Sequence, residues 1–271
     1  IFIGQLGTPT TIAGLEILKE NNALSLFPFT GGKYFRNPKE INVINFRCSY
    51  SSEAYTLVEY AVKKLGKKKI AIFYQDDNYG KSALSGAQKA FEEYKITNFL
   101  NVAYTPKNLD LKTEVKKIQN FEPEVILFFS VIPPSKEFIR QSDLALLKNT
   151  ELMGLSVLTE EFRDFLNNRG LKFVMTQVVP NPAKSALPIA KEYRVLMKKY
   201  MQKEPLTPYC FEGFIIADLF FDALKRCKST INKNDIAKYF ESTKDFDFKG
   251  LKLSFDPENR QLSPYVWIDT G

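Results

Sequence analysis

The chain has 271 residues, 44% of them apolar and 25% charged, enough for two globular domains of about 100–150 residues each and incompatible with a disordered or collagen-like protein. It contains no histidine, which removes histidine general bases, Ser-His-Asp and Cys-His nucleophile systems and histidine metal sites. The longest apolar run, Phe214 to Leu224, is interrupted by Asp218 and Asp222, so no segment approaches the roughly 20 residues a spanning helix needs.

A formal net charge of +7 permits an anionic partner, but the basic residues are scattered. The densest run, Lys67-Lys68-Lys69, precedes an apolar strand and reads as a solvated turn. With neither a basic helix nor aromatics set among arginines, no nucleic-acid partner is expected. Cys48, Cys210 and Cys227 lack the paired spacing of a zinc site, and neither a metal nor a cofactor is expected.

Ile1-Phe2-Ile3-Gly4 reads as a buried strand, an unusual opening for a native protein, and predicts an upstream segment. A helix is predicted over Thr11 to Asn21, strands over Ala23 to Phe27 and Asn42 to Phe46, and a helix over Glu53 to Leu65. Strand and helix then alternate: Ile70 to Tyr74 and Lys81 to Tyr94, Phe99 to Tyr104 and Leu111 to Asn120, Val125 to Phe129 and Ser135 to Leu147. Glu151 to Leu155 and Phe173 to Val179 are further strands around a helix from Glu160 to Asn168. Strands apolar on both faces, each followed by a helix, mark a doubly wound α/β protein with a parallel sheet covered on both sides. After Pro180 the rhythm changes to helices over Ile189 to Met201, Tyr209 to Arg226 and Lys233 to Glu241, then strands over Leu251 to Phe255 and Tyr265 to Asp269. Such a block after a complete α/β unit predicts two lobes joined by several crossings.

Seven motifs occur in one order: Ile3-Gly4-Gln5-Leu6-Gly7-Thr8-Pro9-Thr10, Phe27-Pro28-Phe29-Thr30-Gly31, Phe46-Arg47-Cys48-Ser49-Tyr50, Tyr74-Gln75-Asp76-Asp77-Asn78-Tyr79-Gly80, Glu122-Pro123-Glu124 with the following strand, Val178-Val179-Pro180-Asn181-Pro182 and Phe211-Glu212-Gly213-Phe214. Together they resemble the type-1 periplasmic binding proteins, the family of leucine/isoleucine/valine-binding proteins. The resemblance implies two doubly wound lobes, the first lacking its N-terminal elements here. It places lobe 1 at 1–48 and 180–250 and lobe 2 at 49–179 and 251–271, with crossings near Cys48-Ser49, Val179-Pro180 and Gly250-Leu251.

Ligands of open α/β sheets bind beyond the carboxyl ends of strands. Thr8, Thr10 and Thr11 sit in such a loop. Their hydroxyls either cap the following helix or join its first N–H groups in holding a carboxylate; the resemblance places ligand contacts on this loop. It also assigns Thr30 and Gly31 to the ligand, and Phe29 is bulky where the amino-acid binders have a small residue, so it lines an apolar or aromatic pocket or blocks it. From lobe 2, Tyr79 matches the aromatic that closes over ligands in the family, and Ser156 stands in another ligand loop. Asp76 and Asp77 are adjacent, but without an accompanying base, metal cluster or nucleophile they make no catalytic pair, and no catalytic residue is expected. Arg47, Tyr50 and Glu53 lie at the first hinge. Two loops depart from the family: Ser156-Val157-Leu158 lacks the acidic residue that pairs with a ligand ammonium, and Ser130-Val131-Ile132-Pro133-Pro134 lacks its tyrosine. An unpaired ammonium is costly to bury, which disfavours a standard α-amino acid.

The resemblance therefore implies a non-enzymatic solute-binding protein of the periplasm or cell envelope, capturing a small molecule between two lobes for the membrane permease of an ABC-type importer. The alternative is the same domain repurposed as an interaction or scaffold module within an envelope protein complex. An α/β enzyme is disfavoured, there being no phosphate loop, nucleophile elbow or G-x-G-x-x-G fingerprint. Cys210 and Cys227 fall on or beside one predicted helix, about 25 Å apart at about 1.5 Å per residue, beyond the roughly 7 Å limit for bridged Cα atoms. Non-reducing peptide mapping is expected to recover no Cys210–Cys227 bridge; finding one would overturn that helix.

Overall fold

The computed structural model describes residues 1–227 and 232–271. The chain divides into two compact units: unit 1 is Ile1–Ser49 with Val178–Tyr265, and unit 2 is Tyr50–Gln177 with Val266–Gly271.

Unit 1 opens with β1 (Phe2–Ile3), α1 (Thr8–Glu20), β2 (Ser25–Leu26) and β3 (Val43–Ile44). These strands pair in parallel in the order β1-β2-β3. Helix α1 starts ahead of the predicted Thr11 because Pro9 occupies its first turn, where a missing N–H costs nothing. Its buried face, Thr11, Leu15 and Leu18, repeats at helical spacing, and Leu15 packs with Phe35 and Val43.

The chain then builds unit 2 as α2 (Tyr50–Lys63), β4 (Ile70–Gln75), α3 (Asn78–Glu93), β5 (Phe99–Tyr104), α4 (Lys112–Phe121) and β6 (Val125–Phe129). It continues through α5 (Ile132–Gln141), α6 (Leu144–Lys148), β7 (Glu151–Gly154), α7 (Thr159–Asn167) and β8 (Val174–Gln177). The single helix expected over Ser135 to Leu147 is broken: Ser142 is extended, and the Asp143 carboxylate restarts a helix by accepting from Ala145 N. The chain re-enters unit 1 with α8 (Pro188–Tyr200), α9 (Pro208–Arg226), α10 (Lys233–Glu241) and the antiparallel hairpin β9 (Phe246–Phe248) and β10 (Leu251–Leu253). Strand β11 (Trp267–Asp269) closes unit 2, pairing antiparallel with β8.

The six strands of unit 2 run β11-β8-β7-β6-β4-β5. All five residues of β6 are buried because alternate side chains enter different cores, as the two-residue period of a strand requires. Val125, Leu127 and Phe129 join Ile70, Ile72 and the α2 and α3 residues Leu57 and Ala87. Ile126 and Phe128 join Phe73, Ile118, Phe138 and Phe162 on the opposite face.

The third expected crossing moves. Residues 251–265 belong to unit 1 rather than to the second lobe: Leu262 N donates to Asn45 O at 3.0 Å, Ser263 N to Phe46 O at 2.9 Å and Asn45 N to Arg260 O at 2.7 Å, so this stretch extends the unit 1 sheet beside β3. The chain leaves unit 1 only after Tyr265. The apolar alternation of Leu251 to Phe255 carries no information about which sheet receives residues 256–265. Strand β9 has no counterpart among the expected elements.

Helices α2 and α3 approach through Gly86, where an added Cβ would lie 2.0 Å from Ser51 O. Backbone cannot yield there, so Gly86→Ala is expected to destabilise unit 2 by about 1–3 kcal/mol through overpacking. Gly14, mid-helix in α1, offers the opposite case, since an added Cβ would meet nothing within 4 Å: Gly14→Ala should gain about 0.5–1 kcal/mol. Urea unfolding of the two variants against the wild type checks both signs.

Candidate ligand-binding site

In unit 1 the loops after β1 and β2 are joined backbone to backbone. Phe29 N donates to Gln5 O at 2.7 Å and Gly7 N to Phe29 O at 3.3 Å. This register brings Thr8 against Thr30, their hydroxyl oxygens 2.6 Å apart, with both residues buried. Gly32 N donates to Thr30 Oγ1 at 3.0 Å. Gly32 is required here, since an added Cβ would sit 2.8 Å from the Thr8 methyl. Gly31 lies between, its carbonyl accepting from Arg36 Nε at 3.5 Å. No side chain caps α1. Thr8 is engaged with Thr30, and the Thr10 hydroxyl turns back to donate to Leu6 O and Gly7 O, so the capping alternative is not what the threonines do.

Phe29 projects from the same loop into an aromatic and charged layer. The Arg47 guanidinium carbon lies 4.5 Å from its ring centroid, the Tyr209 ring 4.7 Å away, and Arg47 Nε is 3.6 Å from Glu212 Oε1. Arg47 and Glu212 are buried, whereas Tyr209 is 44% exposed.

In unit 2, Tyr79 follows the end of β4. Asp77 accepts from Tyr79 N at 2.8 Å and Gly80 N at 3.2 Å, an N-cap that fixes the start of α3. The Tyr79 ring packs edge-on against Tyr50, centroids 4.9 Å apart. Its hydroxyl donates to Ser130 O at 3.1 Å, so the phenol is committed within unit 2. Asp76 pairs with Lys81 at 2.8 Å on the surface; capping and surface pairing separate the two aspartates chemically. Ser156 is buried and opens a short 3-10 turn, Ser156–Leu158. Its N–H donates to Glu53 Oε2 at 3.0 Å, which also accepts from Thr176 Oγ1 at 2.6 Å.

The site residues expected from sequence thus fall into two groups. Thr8, Thr10, Phe29, Thr30 and Gly31 come together in unit 1; Tyr79 and Ser156 each stand at a strand end of unit 2. Glu212 and Tyr209 are not among the residues that sequence reasoning singles out. Glu212 lies inside a motif that carries the resemblance, but nothing in the sequence links it to an arginine at position 47. Among the described residues no cluster of acidic or cysteine side chains suits a metal ion, and no helix is long and apolar enough to cross a membrane. All three cysteines are unbridged.

A family model described as periplasmic binding protein matches residues 1–268. The chain belongs to the periplasmic binding protein family. A curated relative, Leu/Ile/Val-binding protein homolog 3 of Brucella melitensis, is 21% identical over 275 residues, covering 98% of this chain and 72% of its own. The crystal structure of a possible leucine/isoleucine/valine-binding protein from Rhodopirellula baltica is 27% identical with a TM-score of 0.86, over 98% of this chain and 73% of that one. An ABC transporter solute-binding protein of R. palustris, solved with benzoate, shares the fold at 15% identity and a TM-score of 0.81, over 98% and 72% of the two chains. The fold is therefore that of the type-1 periplasmic binding proteins, and the family's members are binding proteins rather than enzymes.

Burial holds the Tyr79 phenol well above the usual tyrosine range, with smaller contributions from Tyr50 and Tyr104. The unfolded chain ionises near pH 10. Above that pH the native state retains the proton, so stability is complete below about pH 10 and falls as pH rises further. Tyr79→Phe should make that alkaline loss shallower, the buried Tyr104 retaining part of it. At pH 7 the variant should lose about 0.5–1.5 kcal/mol with the Ser130 hydrogen bond. Urea unfolding at pH 7 and between about pH 9 and 11 measures both effects.

Proposed function

We propose that this protein is an extracytoplasmic solute-binding protein, without enzymatic activity, that captures a small carboxylate and delivers it to the membrane permease of an ABC-type importer. The observation that carries the reading is the start of α1: a 13-residue helix begins without a side-chain cap beside the Thr8–Thr30 hydroxyl pair. Uncapped N–H groups and the helix dipole favour an anion, and the hydroxyl pair, one member donating to the other, has one further proton to donate without adding charge. Within unit 1, Thr8, Thr10, Thr30 and Gly31 supply the polar contacts and Phe29 an apolar wall.

The ligand lacks an ammonium group. Neither Ser156-Val157-Leu158 nor Ser130-Val131 presents a carboxylate, and Glu53 is engaged with Ser156 N and Thr176. An apolar or aromatic carboxylate meets these conditions. The benzoate held by the R. palustris protein illustrates that the fold accommodates such an acid.

A scaffold within an envelope complex is the second reading, favoured by the mutual satisfaction of Thr8 and Thr30 and by Phe29 packed under Arg47. Native mass spectrometry of freshly purified protein separates the two. A retained small acid, bound two- to about tenfold more weakly after Thr30→Val as loss of one hydrogen bond predicts, supports transport. Reproducible co-purification of an envelope protein, with no small molecule retained and no effect of Thr30→Val, supports the scaffold.

A further inference from the structure

The layer formed by Arg47, Phe29 and Tyr209 is more than the carboxylate contacts require. The Arg47 guanidinium, in contact with the Glu212 carboxylate at 3.6 Å, covers Phe29 at 4.5 Å. Tyr209 packs on Phe29 at a 55° tilt. Behind this layer the charges are buried, while Tyr209 keeps nearly half its surface open.

Its position is fixed rather than adaptable. Pro208 stands in the first turn of α9, and Thr207 caps the helix by accepting from Cys210 N at 3.1 Å. Tyr209 and Glu212 are three residues apart and share one side of that turn, so the contact between Glu212 and Arg47 and the packing of Tyr209 on Phe29 lock one another. Phe29 in turn belongs to the loop that carries Thr30, paired through its backbone with Gln5 and Gly7. A rigid, half-exposed aromatic packed on the loop that carries Thr30 is suited to a flat ring.

We propose that Tyr209 is the specificity-determining residue of this site, its open face stacking on the ring of a planar aromatic carboxylate and so selecting it over branched aliphatic acids of similar size. This rests on the carboxylate reading above. Such stacking is worth roughly two- to tenfold in affinity beyond the area buried.

The test is calorimetry with benzoate and isovalerate, which share the carboxylate and differ in the body attached to it. The proteins are the wild type, Tyr209→Ala, Tyr209→Phe and Thr30→Val, each checked for an unchanged circular dichroism spectrum. Benzoate is expected to bind the wild type more tightly than isovalerate. Tyr209→Ala should weaken benzoate by about tenfold and erase the preference, Tyr209→Phe should preserve it, and Thr30→Val should weaken both acids alike. Equal binding of the two acids to the wild type, or an unchanged preference in Tyr209→Ala, overturns the role of Tyr209; if Thr30→Val still weakens both, the carboxylate reading stands. Binding of neither acid to the wild type at millimolar concentration overturns both.

Discussion

The loops of unit 1 are held by one buried cation. Arg36 donates to the carbonyls of Thr30 at 3.4 Å, Gly31 at 3.5 Å, Arg47 at 2.9 Å and Cys48 at 3.0 Å, and to Gln261 Oε1 at 2.6 Å. A guanidinium carries five donors in a fixed plane, and once buried it must find acceptors for them. Arg36 finds them on three separate passes of the chain: the loop after β2, the stretch that leaves unit 1 and the segment that returns beside β3. The Thr30–Gly31 loop therefore cannot shift without uncovering charge. Arg260 repeats the device at the other end of the strand, donating to Val43 O at 2.8 Å and pairing with Glu241 at 2.6 Å.

This reliance on side chains follows from how little sheet unit 1 has. Its three parallel strands have two residues each, so the backbone ladder alone specifies little register. Unit 2 is built differently. Its six-stranded sheet has apolar cores on both faces, and polar side chains act at the strand ends. There Glu53, wholly buried, reaches from α2 to the loop after β7 and to β8, tying a helix start to two strands through one carboxylate.

Much of the chemistry that looks reactive in the sequence is spent on structure. Asp77 caps a helix, Asp76 meets Lys81 at the surface, and the Tyr79 phenol serves the Ser130 carbonyl. Glu212 contacts Arg47. The threonine hydroxyls at the strand ends of unit 1 are engaged in the same way, Thr8 with Thr30 and Thr10 with the Leu6 and Gly7 carbonyls, beside the Phe29–Tyr209 ring pair.

The sequence by itself determined the α/β class, the alternation of strand and helix through unit 2 and the family, because each is written in local periodicity or in contiguous motifs. Val125 to Phe129 reads as a doubly buried strand from five residues alone, and the segments carrying Thr8, Thr30 and Gly31 are recognisable as loops that follow strands. Only the tertiary structure decided that residues 260–263 pair beside β3, that Thr8 turns to Thr30 instead of capping α1, and that Arg47 lies between Phe29 and Glu212. The reason is physical: hydrogen bonds and ion contacts between residues tens or hundreds of positions apart leave no period in the chain. The partner of a buried polar group is fixed by which loops the sheet register brings together.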